Sequence, residues 1–257
     1  MAKKQKPRVA RLSPSNAEKW LNCAGYGQAV VDAPQTTSTH AELGTAAHSL
    51  LEQCLRFGSL PSAHEGQALG AFDVDQDMID AVTIALKWLR GWETSNGSKL
   101  HMEKKVTVTL GSHIIDGTID VVSYARKTST LLVADYKHGI GVWVKAKDNP
   151  QVGLYVLSAV QQLAEQNIVP KKMRGVIIQP RSIGNGEVVR LWEITHDDLA
   201  ALKSRAIEAL NAAYRPDAPR TAGTHCRFCG AAATCRELAE YNLRNAITDY
   251  EDITTRP

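Results

Sequence analysis

The stretch LLVADYK, Leu131–Lys137, ends an otherwise apolar run with two charged side chains. A short continuous apolar run of this kind is typical of a strand buried on both faces of a sheet. Alternate residues of a strand share a face, so Asp135 and Lys137 are expected to point the same way. Burying a carboxylate and an ammonium is costly unless they pair, bind a metal or face a cleft. The stretch therefore predicts a central strand that ends in a polar site.

A second acidic residue, Asp120, lies near the end of residues 114–122, which also have the character of a strand. If this strand pairs in an antiparallel manner with the next one, Asp120 lies beside Asp135. Two converging carboxylates suit Mg²⁺ or Mn²⁺, because hard cations prefer oxygen ligands. The alternative is a simple ion pair between Asp135 and Lys137 at a sheet edge, since D-x-K is a common tripeptide.

Hydrophobic periodicity predicts helices first, then a three-stranded meander, a helix, two strands and a helix. This order predicts an α/β fold with a mixed central sheet flanked by helices. Residues 59–75 are polar and predicted to be irregular, residues 1–13 are predicted to be a basic flexible tail, and residues 14–257 a single domain. The predicted helices cover about 40–57, 77–92, 149–166 and 196–214, with a short helix near each end, and the predicted strands cover 102–110, 113–124, 130–136, 174–179 and 187–194, the last two separated by a loop at 182–186.

The composition is that of an ordinary globular protein, with 257 residues, 44% of them hydrophobic, and a formal charge of +3. Overall charge does not indicate a nucleic-acid binder. No apolar stretch is long enough to span a membrane and no secretory signal is visible, so the expected location is the cytoplasm. The basic residues near the N-terminus form either a solvated tail or a phosphate-contacting arm; they are Lys3, Lys4, Lys6, Arg8 and Arg11.

Four of the five cysteines have a spacing that suggests a metal site. Cys226, Cys229 and Cys235 form C-x₂-C-x₅-C, and Cys23 lies far earlier in the chain. In a reducing compartment, clustered cysteines indicate metal rather than disulfides. Four thiolates suit either tetrahedral zinc or an iron–sulfur cluster, and spacing alone does not choose between them. Cys54 lies on the apolar face of a predicted helix and is expected to be a core thiol.

Four short motifs, taken in order, resemble those of the RecB-like nucleases of the PD-(D/E)XK superfamily, which include CRISPR-adaptation exonucleases and phage-encoded relatives. Gly44–His48 resembles the first motif of that family, which ends in a metal-binding histidine, and Gly117–Asp120 resembles its G-x-x-D. Asp135–Lys137 resembles its (D/E)-x-K, with Asp where many relatives have Glu. Gln151 and Tyr155 resemble its Q-x-x-x-Y and share one helix face. Each motif is weak alone, and their order carries the resemblance.

The resemblance implies a restriction-endonuclease-like fold and a metal-dependent deoxyribonuclease. The implied activity is that of an exonuclease which hydrolyses phosphodiester bonds in phage or mobile-element DNA recombination or replication. DNA is the implied partner, and a recombinase, an annealing protein or a helicase are further partner classes. The alternatives are a catalytically silent DNA-binding or scaffolding protein and a zinc-stabilised binding module. The intact acidic and basic residues of the motifs argue against a silent protein, which is free to lose them.

The resemblance also implies roles for individual residues. Lys137 would position the attacking water or stabilise negative charge on the phosphate. Gln151 and Tyr155 would contact metal-bound water or DNA. The implied ligands of Mg²⁺ or Mn²⁺ are His48, Asp120, Asp135 and the backbone carbonyl of Tyr136.

The cysteines extend the resemblance to both ends of the chain. One N-terminal cysteine with a C-terminal C-x₂-C-x₅-C resembles the arrangement in the iron–sulfur members of this nuclease group. It implies a 4Fe–4S cluster that joins the N- and C-terminal segments, with zinc as the alternative. The implied ligands are Cys23, Cys226, Cys229 and Cys235.

Three further residues lie near the predicted site. Glu103, on the preceding strand, is placed where it can reach the cleft. Gln179 and Arg181 lie at a strand end, where an arginine can hold a phosphate. A solvated turn explains these last two equally well.

Overall fold

The computed structural model describes residues 7–34, 38–182 and 187–255. The chain divides into two compact units. The terminal unit consists of Met1–Gln35, Leu110–Ile115 and Lys203–Pro257, and the central unit consists of Thr36–Thr109 and Asp116–Leu202. None of the described helices has the length and apolar character that crossing a membrane requires. Lys3, Lys4 and Lys6 of the predicted tail, and residues 183–186 of the predicted loop, lie outside the described residues.

The order of helices and strands follows the predicted order, with additional short elements. The helices are α1 Ala17–Trp20, α2 Tyr26–Val30, α3 Thr39–Phe57, α4 Gln76–Asn96, α5 Pro150–Ala164, α6 His196–Ala213 and α7 Arg236–Thr255. The strands are β1 Ala68–Leu69, β2 Phe72–Asp73, β3 Leu100–Leu110, β4 His113–Ala125, β5 Thr130–Tyr136, β6 Lys172–Ile178 and β7 Val189–Ile194.

The five long strands form one mixed sheet in the order β3-β4-β5-β6-β7. Strand β5 pairs antiparallel with β4 and parallel with β6, and β6 pairs antiparallel with β7. Every residue of β5 is buried, as its apolar run predicts. Helix α5 connects the parallel pair β5 and β6, which a two-residue hairpin cannot do.

Helices of the central unit pack on both faces of the sheet. Leu50 of α3 belongs to one buried cluster with Leu132 of β5, together with residues of α4. On the opposite face Gly175 of β6 lies beside Val152 of α5, and a Cβ at this glycine would meet the Val152 side chain. The glycine therefore permits close approach of α5 to the sheet. The predicted mixed α/β sheet flanked by helices is confirmed.

The first turns of three helices are fixed by capping side chains. A Ser, Asp or Asn side chain at each N-cap accepts a hydrogen bond from the backbone N–H of the third helical residue, which satisfies one free donor. Asn149 fixes the start of α5 and so places Gln151 in its first turn, at the end of the sheet where β5 terminates. The caps and donors are Ser38 with Ala41, Asp75 with Met78, and Asn149 with Val152.

Some local elements differ from the sequence prediction. Residues 59–75, predicted to be irregular, contain the small hairpin β1–β2, because Gly70 adopts the positive φ of 65° that its tight turn requires. The final helix is long rather than short, with 20 residues. Residues 7–13, predicted to belong to a flexible tail, are packed in the terminal unit. Ala10 donates its N–H to the Gly27 carbonyl at 2.9 Å, and Leu12 is buried.

Candidate metal-binding and catalytic site

Asp120, in the middle of β4, and Asp135, near the end of β5, lie on two paired strands. Val121 of β4 pairs with Ala134 of β5, so the two aspartates are neighbours across the ladder. The Oδ2 atom of Asp120 accepts a hydrogen bond from the backbone N–H of Tyr136 at 2.8 Å. The predicted antiparallel pairing, which brings the two carboxylates together, is confirmed.

His48, Glu103 and Asp120 form a group that offers three ligand atoms to a cation. One such atom from each residue lies within 4.8 Å of the other two. His48 Nδ1 is 3.5 Å from Asp120 Oδ2 and 4.0 Å from Glu103 Oε1, and its ring stands edge-on to Tyr136 with centroids 5.2 Å apart. The structure thus brings together two of the predicted ligands and adds Glu103. An imidazole and carboxylates are a ligand set that Mn²⁺ and Mg²⁺ accept.

The backbone of Glu103 departs from the regular strand. Its φ is 45°, in the left-handed region that a residue with a side chain seldom adopts. The burial alternation of β3 breaks here, so that residues 103–105 are all exposed. Such a conformation costs of the order of 1–3 kcal/mol and persists where the surroundings hold it. Strand periodicity gives no signal for one such residue, and only its acidic type, on the strand before Asp120, pointed to the cleft.

Asp135 is 2% exposed, and its carboxylate holds two polar side chains. Gln151 Nε2 donates to Oδ1 at 2.7 Å, and Lys137 Nζ lies 2.9 Å from Oδ2 and 3.3 Å from Gln151 Oε1. Oδ2 is buried, and the Lys137 ammonium at 2.9 Å is its polar partner among the residues that the structure describes. A carboxylate oxygen has a second lone pair with which it can also bind a cation. Asp135 therefore stands beside the three-residue group, and its role as a ligand stays a prediction.

Both carboxyl groups of the three-residue group resist ionisation. Burial raises the pKa of Asp120 to about 8, with a further contribution from Asp135, while Lys137 and the Tyr136 N–H oppose the shift. Burial and the charge of Asp120 also raise the pKa of Glu103. A positive charge between carboxylates placed so close together in a desolvated site would stabilise their ionised forms.

The pKa values of the two basic groups of the site, His48 and Lys137, shift in opposite directions. Burial lowers the pKa of His48, and Asp135 only partly opposes this, so the imidazole is neutral and able to act as a ligand at neutral pH. Burial also disfavours the charged form of Lys137, but Asp135 and Asp120 outweigh it and raise the pKa of Lys137. The site therefore contains a firmly protonated ammonium next to a neutral imidazole.

Tyr155 lies one helical turn after Gln151 on α5 and is buried. Burial raises the pKa of its hydroxyl, and Asp135 and Asp120 raise it further. The phenol therefore stays protonated beside the carboxylates and can act as a hydrogen-bond donor.

Gln179 is buried and organises the loop that follows Lys137. Its Nε2 atom donates to the carbonyls of Gly139 and Val142, and its Oε1 atom accepts from the Val144 N–H at 3.1 Å and from Arg190 at 2.6 Å. All four hydrogen bonds are internal. The expectation of a solvated turn is therefore wrong for Gln179, because its amide replaces the backbone pairing that the loop lacks.

Arg181 belongs to a chain of polar contacts that reaches Tyr136, the last residue of β5. Its guanidinium donates to His138 Nε2 at 2.9 Å and lies 3.6 Å from Asp77, and His138 Nδ1 lies 2.9 Å from the Tyr136 hydroxyl. Burial lowers the pKa of His138 to about 4, with Arg181 and His48 contributing. The guanidinium is thus engaged within the protein rather than by solvent.

The four cysteines predicted as cluster ligands meet in the terminal unit. The thiol of Cys23 accepts a contact from the Thr221 N–H at 3.4 Å, and its pKa is raised by burial and by the other three thiols. Cys54 is buried in the core of the central unit, as predicted. The residues that line one shared cavity of the terminal unit include Cys23, Cys226, Cys229 and Cys235.

The fold and the site together define a mixed α/β protein whose central sheet and helix α3 bring carboxylates and an imidazole together. The chain belongs to the family described as Protein of unknown function (DUF2800), whose sequence pattern matches residues 9–255.

Three solved structures are distantly similar to the chain. A protein from Eubacterium rectale described as "Putative exonuclease" is 14% identical, with a TM-score of 0.46, 90% of this chain covered and 87% of the other. SSO0001 is 15% identical, with a TM-score of 0.34 and coverages of 74% and 82%. VC1899 from Vibrio cholerae is 12% identical, with a TM-score of 0.25 and coverages of 79% and 58%.

Proposed function

We propose that the protein is a deoxyribonuclease of the RecB-like PD-(D/E)XK type that depends on Mg²⁺ or Mn²⁺ and acts as an exonuclease in phage or mobile-element DNA recombination or replication. The observation that carries the proposal is a cluster of side chains around Asp120 of β4 and the end of β5. There the group of His48, Glu103 and Asp120 lies next to the buried ion pair of Asp135 and Lys137.

The residues present fit a divalent cation. Neutral His48 offers a nitrogen, and Glu103 and Asp120 offer carboxylate oxygens. Oδ2 of Asp135, which is paired with the Lys137 ammonium at 2.9 Å, has a further lone pair that can bind a cation. A cation held there would polarise the scissile phosphate and lower the pKa of a water molecule. Its positive charge would also offset the burial and the carboxylate repulsion that raise the pKa values of Asp120 and Glu103.

Lys137 and Gln151 supply the second part of the proposed chemistry. The ammonium of Lys137 is fixed by Asp135 and Gln151, yet its side chain is 31% exposed. A positive charge held at the mouth of such a site stabilises negative charge that develops on a phosphate. Gln151 bridges the ion pair and so orients both of its members. A catalytically silent DNA-binding protein would not require the buried ion pair of Asp135 and Lys137, which is costly to form.

We further propose that the four cysteines hold a 4Fe–4S cluster. The four thiols line one cavity and so offer the four cysteine ligands that such a cluster takes. Zinc, which four thiolates also suit, is the alternative. The cluster would connect the two ends of the chain within the terminal unit.

A cleavage assay tests the proposed activity directly. Anaerobically purified protein is incubated with end-labelled linear DNA and with closed circular DNA, in Mg²⁺, in Mn²⁺ or in EDTA. We expect degradation of the linear DNA with either metal, none in EDTA, and survival of the circles. Cleavage of the circles would assign an endonuclease instead, and intact DNA under every condition would reject a nuclease.

Lys137→Met is expected to lower the cleavage rate about 100-fold or more while metal binding persists, because the ammonium stabilises charge and is not a ligand. Mn²⁺ affinity is measured by calorimetry and cleavage by single-turnover kinetics. Lys171→Met, at an exposed lysine, is the matched control and should cleave normally. Equal cleavage by the two variants would remove Lys137 from the mechanism.

The stability of the metal-free protein is expected to fall as pH rises from about 4 to 8. The native state holds a proton on Asp120, whose pKa is raised from 3.8 to about 8, and the unfolded chain does not, so raising the pH favours unfolding. Asp120→Asn cannot ionise and should flatten this slope. Mn²⁺ should restore more stability at pH 8 than at pH 6, because ligands bind metal when deprotonated.

Melting temperatures in EDTA and in Mn²⁺, measured across this pH range for both proteins, check the prediction. A variant with the same pH slope as the original protein contradicts it.

A further inference from the structure

The central unit contains a cavity of about 500 Å³ that none of the proposed catalytic residues lines. This volume falls in the range of pockets that bind small molecules. The cavity lies between β3, the turn from β4 to β5, and the C-terminal half of α5. Five basic side chains line it: Lys99, His101, Lys104, Arg126 and Lys127.

The charge of this lining is one-sided. Among the lining residues that the structure describes, none is Asp or Glu. Across residues 7–34, 38–182 and 187–255, none of the five basic side chains forms an ion pair with a carboxylate. Four of the five are Lys or Arg, which are positively charged at neutral pH. A concave surface of one charge concentrates oppositely charged ligands, so the cavity favours an anion.

The inner wall of the cavity is apolar. Leu131 of β5 and Ala159 of α5 are buried there, and Leu163 is half-buried. The Tyr124 ring also lines the cavity, with its hydroxyl 3.1 Å from Ser129 Oγ. A ligand that fills this space therefore combines negative charge with a flat or apolar body, as a nucleotide does.

The cavity lies on the same face of the sheet as the carboxylates. Asp120, Val122 and Tyr124 occupy alternate positions of β4 and so share one face. Leu131 and Asp135 do the same on β5. At about 3.3 Å per residue, Tyr124 lies roughly 13 Å along the strand from Asp120.

We propose that this cavity binds a nucleotide, with its phosphate on the basic side chains and its base and sugar against the apolar wall. A free nucleotide and one unit of a polynucleotide offer the same chemistry. The second source rests on the proposed nuclease function, since the strand would then continue along β4 to the carboxylates. The first source does not depend on that function.

Binding to the full-length protein in EDTA tests the proposal without cleavage. The ligands are deoxyadenosine monophosphate, deoxyadenosine, inorganic phosphate and a short fluorescent single-stranded oligonucleotide. The variant is Lys99→Gln combined with Lys127→Gln, both at exposed positions. The matched control is Lys87→Gln combined with Lys171→Gln, exposed lysines outside the cavity.

We expect the cavity variant to bind its nucleotide ligand about tenfold more weakly than the control. Its salt slope for the single-stranded oligonucleotide should be lower by about 1.4, since each lost phosphate contact removes about 0.7. Weakened binding of the monophosphate assigns a free nucleotide, and weakened binding of the oligonucleotide alone assigns a polynucleotide unit. Equal binding by the two variants, or competition by inorganic phosphate as strong as by the nucleotide, overturns the proposal. If the cavity variant binds its ligand more weakly than the control but the unchanged protein cleaves no DNA, the proposed nuclease function is rejected and the proposed nucleotide site is supported.

Discussion

Asp135→Asn is expected to reduce DNA cleavage on the order of 1,000-fold or more. The carboxylate holds Lys137 Nζ at 2.9 Å and Gln151 at 2.7 Å, and it offers a buried oxygen beside the three-residue group. Asparagine has the same shape and no charge, so it loses the ion pair and the charged oxygen together. Single-turnover cleavage of end-labelled linear DNA in Mn²⁺ gives the rate.

Asp116→Asn provides the matched control for this substitution. Asp116 lies on β4, as Asp120 does, but its side chain is exposed. Replacing it by asparagine should therefore leave the cleavage rate unchanged. The two variants should keep similar circular dichroism spectra, because neither substitution alters side-chain volume. Full activity of Asp135→Asn on every DNA tested would contradict the proposed mechanism.

Cys226→Ala is expected to bleach the anaerobically purified protein and remove most of its iron. A 4Fe–4S cluster should make the unchanged protein brown, with broad absorption in the visible range from thiolate-to-iron transitions. Because metal binding supplies folding free energy, the variant should also be less soluble and melt at a lower temperature. The same result is expected for Cys23, Cys229 and Cys235, since all four line one cavity.

Cys54→Ala is the control, because this thiol is buried in the core of the central unit. It should keep the colour and lose only some packing. Nuclease activity should fall in the four cluster variants through lost stability rather than through the chemistry. Metal analysis decides between a 4Fe–4S cluster and zinc. Stoichiometric zinc without iron, in protein never exposed to oxygen, would reject the iron–sulfur assignment and leave the proposed nuclease site unaffected.

The regular parts of the fold were predictable because local periodicity determines them. Strand β5 was predicted at residues 130–136 and lies at Thr130–Tyr136, since an unbroken apolar run records burial on both faces. Helix α3 was predicted at residues 40–57 and lies at Thr39–Phe57, with Ser38 and Gly58 as its end signals. The meeting of Asp120 with Asp135 followed from the short turn that joins their strands.

The remaining features depend on contacts that local patterns do not record. The left-handed backbone of Glu103 carries its carboxylate out of the strand alternation. The four hydrogen bonds of Gln179 join segments far apart in the chain. The cavity lined by Lys99 and Lys127 arises from segments that are separate in sequence, each of which alone has the composition of an ordinary solvated surface.

The terminal unit is assembled from both ends of the chain, and this affects the order of events during synthesis. The ribosome makes the first part of the terminal unit, then residues 36–202, and then the last part of the terminal unit. Within residues 36–202, only the turn at Leu110–Ile115 belongs to the terminal unit. Cys23 and Cys226 are 203 positions apart, the difference of their numbers. At about 5–20 residues per second, the ribosome needs on the order of 10–40 s to cover that distance. A nascent chain therefore carries Cys23 without Cys226, Cys229 and Cys235 for most of its synthesis, so the proposed cluster could assemble only once the last segment has emerged.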